Sequence, residues 1–174
     1  PTVSVLITCF NEGDSTITAK AANILEQNYP LEKLDVIFAA DGSPDDLSSI
    51  LAPYLGNTLR LIHYPQNRGK IQVLNDTVPK CRGEVIVFTD VDALFAHDAI
   101  EQLLTVLAPK EVGGAGGMIA VRPQAEERRY FNKPQILYAS ITGLINRCEN
   151  RLGSISSCRG PIYAIKKEYF TPIP

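Results

Sequence analysis

No stretch of this sequence approaches the ~20 consecutive apolar residues needed to span a bilayer, and no basic segment followed by an apolar run opens it. A membrane-crossing helix and a secretory leader are therefore not expected in these residues, which suit a soluble domain in the cytoplasm. Strong charge of either sign is lacking too: 17 basic and 19 acidic residues leave a formal net charge of -2. That balance excludes a global pull toward nucleic acid or anionic lipid, so any phosphate binding must be local. Cysteine is sparse. Cys9, Cys81, Cys148 and Cys158 form no C-x-x-C pair, and three of them sit in apolar patterns that favour small buried thiols over bridges, as a reducing compartment would allow. Tryptophan is absent altogether. The two histidines, His63 and His97, are expected in structural or surface roles, and Arg128-Arg129 on a solvated helix face.

What is present is apolar residue in quantity. Hydrophobic residues make up 45% of the 174, enough for one compact core. Val3-Ser4-Val5-Leu6-Ile7-Thr8 is a β-rich run, stopped by Asn11-Glu12-Gly13-Asp14 and followed by Ile17, Ala21, Ile24 and Leu25 at helical spacing. The unit recurs: residues 34–40 predict a second strand, Asp41-Gly42-Ser43-Pro44 a turn and residues 45–54 a short helix. Residues 59–64 predict a third strand, leading to a helix with Ile71, Leu74, Val78 and Cys81 on one face. Residues 84–89 predict a fourth strand, with a helix over about 97–107. Near-continuous Val, Ile, Leu and Phe strands separated by amphipathic helices imply a mainly parallel sheet covered on both faces, an α/β fold.

After Pro109 the alternation breaks. Gly113-Gly114-Ala115-Gly116-Gly117 precedes a strand-like Met118-Ile119-Ala120-Val121, and residues 126–151 predict a long helix. The glycine run leads into a strand instead of opening a helix, so it fails as a dinucleotide phosphate loop and fits a flexible turn or a close backbone approach better.

Ligands of open parallel sheets bind beyond the carboxyl ends of the strands, which directs attention to residues 8–13, 41–45, 67–70 and 90–93. Asp90-Val91-Asp92 follows a buried strand directly. In an extended segment residues i and i+2 project to the same side, so the pair could hold a hard divalent cation; alternatively it caps the next helix. Asp41 ends a buried strand and can accept a hydrogen bond from a ring N–H, or stabilise its own Asx turn over Gly42-Ser43. Lys70 follows Gly69 at a helix start, an unfavourable place for a cation unless a diphosphate or carboxylate lies nearby. Thr8, Phe10 and Asn11 could offer backbone groups and a ring face to a base, although Asn11-Glu12 also suits a plain turn.

The ordered set 3–12 (VSVLITCFNE), Ala40-Asp41-Gly42-Ser43, Asn67-Arg68-Gly69-Lys70 with Leu74-Asn75, and Phe88-Thr89-Asp90-Val91-Asp92 resembles family 2 glycosyltransferases. Residues 157–165 (SCRGPIYAI) look like the segment preceding the catalytic carboxylate in the membrane-bound hyaluronan, chitin, cellulose and poly-N-acetylglucosamine synthases. The resemblance covers essentially the whole chain and implies a GT-A fold, a UDP-sugar donor, a divalent metal (Mn or Mg) and an acceptor that is a carbohydrate or lipid-linked sugar. It makes Asp41 the uracil ligand, and Thr8, Phe10, Asn11 and Glu12 neighbours of the nucleotide. It also makes Lys70 a donor contact, Asp92 the metal-side carboxylate, and Asp90 a ligand to sugar, ribose or metal. It divides the chain into a nucleotide-binding half, 1–110, and the start of an acceptor-side half, 111–174. Ala40 departs from the family's usual Asp-Asp-Gly-Ser. The acidic motif supplying the family's general base and its Gln-x-x-Arg-Trp acceptor motif are expected after Pro174, since no match occurs earlier and no Trp is present. The sequence, which starts at Pro1 without Met, is accordingly expected to be part of a longer, membrane-anchored enzyme and to bind donor without full transfer activity. A nucleotidyltransferase is the alternative enzyme, but residues 8–13 lack its Gly-rich, Arg-containing loop; a non-catalytic nucleotide-sugar-binding module is the alternative outside enzymes.

Overall fold

The structure, a computed structural model, describes residues 1–118 and 161–174. The first two-thirds of the chain is a run of strand–helix units: β1 (Val3–Cys9), α1 (Asp14–Leu25), β2 (Leu34–Asp41), α2 (Leu47–Leu51), β3 (Leu59–Tyr64), α3 (Lys70–Thr77), β4 (Val85–Asp90) and α4 (Ala99–Leu107). Two further strands, β5 (Gly114–Gly116) and β6 (Ile162–Lys166), complete one six-stranded sheet in the order β3-β2-β1-β4-β6-β5. The four strands β1 to β4 are parallel, whereas β6 runs antiparallel to both β4 and β5. The mainly parallel α/β fold expected from the sequence is therefore present.

Alternation along the strands sorts side chains onto two faces. Val3, Val5, Ile7, Val36, Phe38, Val85 and Val87 face one layer, where α1, α2 and α4 contribute Ile17, Ile24, Leu47, Leu51, Ile100 and Leu103. Leu6, Ile37, Ala39, Ile86 and Phe88 face the other, covered by Val73 and Leu74 of α3 with Val78 and Cys81. Phe38 has no exposed surface, and full burial of such a side chain is worth about 1.5–3 kcal/mol. Phe88 also stacks on Tyr163, with ring centroids 4.7 Å apart, which ties β6 to β4.

Three expectations need correction. Ile71 does not join the buried face of α3; it is 49% exposed, and Val73, Leu74 and Thr77 are buried instead. Helix α2 is half the predicted length, starting at an Asp46 cap whose carboxylate accepts from the Ser49 N–H. The glycine run is not a turn: Gly114–Gly116 form a strand paired with β6, whereas of the strand expected over 118–121 only Met118, which is exposed, is among the described residues. A Cβ on Gly117, just after β5, would stand 2.3 Å from Ile162 Cγ2, so a side chain there would have to displace Ile162. The long helix predicted over 126–151, with Arg128-Arg129, Cys148 and Cys158, lies outside the described residues.

Candidate nucleotide-sugar site

The carboxyl ends of β1, β2 and β4 and the start of α3 open into one cleft of about 390 Å³. Thr8, Phe10, Glu12, Asp41, Lys70, Asp90 and Asp92 all line it; Asn11 does not. Cys9, Asn67, Gly69 and Val91 line it as well. Asn11 has φ 54°, a left-handed conformation that Asn tolerates, and its N–H donates to Ser43 Oγ at 3.0 Å. Ser43 in turn donates to Asp45, whose same oxygen accepts the Glu12 N–H at 2.8 Å. The loop after β2 thus holds the loop after β1, and turns the Phe10 ring, 48% exposed, toward solvent at the cleft.

Asp41 is 4% exposed, and its two carboxylate oxygens accept the backbone N–H groups of Arg68 and Gly69, both at 2.9 Å. The Asx turn over Gly42-Ser43 is not what it forms; Asp41 anchors the loop leading into α3. Each carboxylate oxygen has a second lone pair, so the group retains acceptor capacity for a ligand N–H. Gly42 makes this approach possible: its φ is +65°, and a Cβ there would stand 2.3 Å from the Asn67 nitrogen.

Lys70 is the first residue of α3, and its Nζ meets Asp90 Oδ1 at 2.5 Å. The carboxylate foreseen beside this misplaced cation is thus Asp90, across the mouth of the cleft. Asp90 and Asp92 share the cleft for a reason different from the extended geometry expected. Asp90 ends β4, and the chain then turns, the Ala93 N–H reaching back to the Asp90 carbonyl at 3.4 Å. Beneath the turn lies Lys20, which was not among the residues expected at the site although it interrupts the apolar stripe of α1. Burial pushes its pKa down from 10.5 to about 7, against the pull of Asp90 and Asp92, which favour the charged form. Burial also pushes the Cys9 thiol up to about 12, with Glu12 and Asp45 adding to the effect, so this cleft residue is no thiolate at neutral pH.

Among the described residues no three His, Cys, Asp or Glu side chains cluster into a complete metal cage. The two aspartates fit a partial one. Hard divalent cations, Mg²⁺ especially, are commonly held by one or two carboxylates with substrate phosphates completing the shell. Glu168, the last acidic residue, is remote from all this. It follows β6 and lines a second hollow with Pro1, Glu84 and Val85 at the opposite end of β4, about 16 Å from Asp90 at the rise of an extended strand.

Among the described residues no helix is long and apolar enough to cross a membrane. A poly-beta-1,6-N-acetyl-D-glucosamine synthase of Staphylococcus epidermidis is 27% identical over 168 residues, covering 95% of this chain and 39% of the relative. An N-acetylglucosaminyltransferase of Mesorhizobium japonicum is 30% identical over 166 residues, 92% of this chain and 38% of the relative. The chain thus spans about two-fifths of the curated relatives it matches. Among solved structures, the mannosyltransferase PcManGT from Pyrobaculum calidifontis, in complex with GDP-Man and Mn²⁺, superposes with a TM-score of 0.78 at 28% identity, over 97% of this chain and 45% of that one. S. aureus TarS in complex with UDP-GlcNAc shares the fold, with a TM-score of 0.58 at 17% identity over 74% and 38%. The sequence profile of Glycosyl transferase family 2 matches residues 4–170, nearly the whole chain, and the chain belongs to that family.

Proposed function

We propose that these residues form the donor-binding part of an inverting glycosyltransferase that takes a UDP-sugar and a divalent metal and passes the sugar to a carbohydrate or lipid-linked acceptor. The observation that carries this reading is the convergence of Asp41, Lys70, Asp90 and Asp92, with Thr8, Phe10 and Glu12, on one cleft at the carboxyl edge of a parallel sheet. Asp41 would accept a base N–H, Phe10 would offer a ring face to the base, and Lys70 would turn from Asp90 to the diphosphate. Asp92, with Asp90, would hold Mn²⁺ or Mg²⁺, which when bound neutralises charge on the departing diphosphate. Glu168, which lines a hollow at the opposite end of β4, is not assigned as the general base; that role is left to the acidic motif that the family resemblance implies. The same reading makes 1–110 the donor half and 111–174 the start of the acceptor-side half, within a longer membrane-associated polysaccharide or glycolipid enzyme. The N-acetylglucosamine named in two relatives favours UDP, while the GDP-Man of a structural relative makes GDP the base to compare.

The test is titration calorimetry of the chain with UDP and with GDP, with and without Mn²⁺. UDP is expected to bind more tightly with the metal, and Asp92→Ala to remove that enhancement while the far-ultraviolet circular dichroism stays unchanged. Metal-enhanced binding that survives in Asp92→Ala would remove Asp92 from the site; tighter binding of GDP would reassign the base.

A further inference from the structure

Helix α1 faces the sheet with Ile17, Ala21 and Ile24, and the place that completes this apolar stripe, three residues after Ile17, is occupied by Lys20. Lys20 is one of the largest side chains with no exposure among the described residues, beside Phe38. A leucine or methionine would fill that place without the cost of taking an ammonium out of water. What Lys20 has that they lack is donors. Its Nζ donates to Thr89 Oγ1 at 2.8 Å and to the carbonyl oxygen of Ala93, and lies 4.1 Å from the centroid of the Phe95 ring. Thr89 directly precedes Asp90, and Ala93 directly follows Asp92. Thr89 Oγ1 passes the contact on, donating to the Asp90 carbonyl at 3.1 Å. One turn further along α1, Asn23 accepts from the Phe95 N–H at 2.7 Å and donates to the Phe95 carbonyl at 3.0 Å. The loop carrying the two cleft carboxylates is therefore gripped from beneath at both ends of Asp90-Val91-Asp92, by one helix.

We propose that Lys20 is a positioning residue of the donor site, fixing the Asp90–Asp92 turn in the geometry that receives a divalent cation with its diphosphate. The inference rests on the donor-site reading and adds to it a residue that touches neither metal nor nucleotide. A lysine serving only the core would affect stability and every ligand alike. A lysine that shapes the turn affects the metal-supported part of nucleotide binding selectively.

The experiment measures UDP and GDP affinity of the 174-residue chain by calorimetry across a Mn²⁺ titration, with bound Mn²⁺ followed separately by electron paramagnetic resonance. In Lys20→Met the Mn²⁺ concentration for half-maximal enhancement is expected to rise about ten-fold, the scale for losing a residue that orients metal ligands, while metal-free nucleotide affinity stays within about two-fold. Combined with Asp92→Ala, Lys20→Met is expected to cause no further loss of the metal effect. Thr89→Val, which deletes one arm of the grip, should raise the Mn²⁺ requirement about three-fold, the scale of a single hydrogen bond. A folded Lys20→Met with unchanged Mn²⁺ requirement, or with metal-free and metal-supported affinity falling by the same factor, overturns the proposal. Should Lys20→Met fail to fold, Thr89→Val decides, and an unchanged Mn²⁺ requirement there overturns it equally. A wild-type chain binding neither nucleotide in a metal-dependent way would instead refute the donor-site reading, and the role of Lys20 with it.

Discussion

Replacing Asp41 by alanine should destabilise the protein before any nucleotide is added. The carboxylate accepts two backbone N–H groups, from Arg68 and Gly69, at 2.9 Å each. Hydrogen bonds to a charged acceptor contribute about 1.5–3 kcal/mol apiece. Arg68 and Gly69 are exposed, so water can recover part of the loss when the acceptor goes. The expected cost is about 2–4 kcal/mol, a large share of the roughly 5–15 kcal/mol that holds a domain together. For a chain of 174 residues a 3 kcal/mol loss lowers Tm by about 6–12 °C. Asp41→Asn should lose nearly as much, because one of the two N–H groups would then meet an amide donor or nothing. Urea titration measures the effect, with the midpoint moving and the slope constant. Nucleotide binding should weaken by a further 1–3 kcal/mol, about 5- to 150-fold, under conditions where the variant is still folded. A stability change below about 0.5 kcal/mol, the range of ordinary surface substitutions, would refute the loop-anchoring argument. Lost stability with undiminished UDP binding would leave Asp41 an anchor alone and place the base elsewhere.

Asp35, at the amino end of β2, is buried and holds Arg60 at 2.7 and 3.0 Å, with Ser4 and the Arg82 N–H as further donors. Burial pushes its pKa up, but these donors outweigh burial and hold it below the usual value. The stability it contributes is therefore present above the unfolded-state pKa of about 3.9 and is lost as pH falls through the lower folded value. Asp35→Ala should cost about 3 kcal/mol at neutral pH in urea denaturation and flatten the acid side of the stability curve; an unchanged acid slope would contradict the assignment. Cys9 and Cys81, both buried, with thiols pushed up to about 12 and about 11, should resist iodoacetamide in the native protein at pH 8 and react once unfolded, as read by mass spectrometry. Labelling of native Cys9 would show the floor of the cleft to be open.

The four parallel strands were legible because burial on both faces demands unbroken apolar runs, and their observed limits lie within a residue or two of those runs. Short amphipathic pieces were harder. Over the eight residues of α3 a helical phase through Ile71 and one through Val73 and Leu74 are nearly equivalent, and only packing against β1 and β2 selects the second. Strand β5 is almost invisible in sequence, since glycines carry no side chain to mark a strand. The cleft was legible at the level of loops, because ligands gather at the carboxyl edge of such sheets. Its internal bonds were not: that Asp41 would clasp Arg68 and Gly69, and that Lys70 would meet Asp90, depends on how two distant loops come together. Lys20 left one trace, a lysine interrupting the stripe of Ile17, Ala21 and Ile24, and a charged residue in an apolar phase is the pattern to look for.

Strand β1 is made before the other five strands yet lies in the middle of the sheet, pairing Val3 with Leu34 on one side and with Val85 on the other. As the chain leaves the ribosome, this apolar segment must wait for some eighty further residues before its second neighbour exists, and β4 must wait nearly as long again, until 162–166 are synthesised, to cover its own outer edge. Such long-range parallel pairing is slow and leaves sticky edges open meanwhile. The strands flanking Asp90 and Asp92 are consequently all present later than those flanking Asp41. A nascent chain halted before β6 would carry every donor-site residue named above and still lack the strand whose neighbouring Pro161 carbonyl receives the Asp90 N–H.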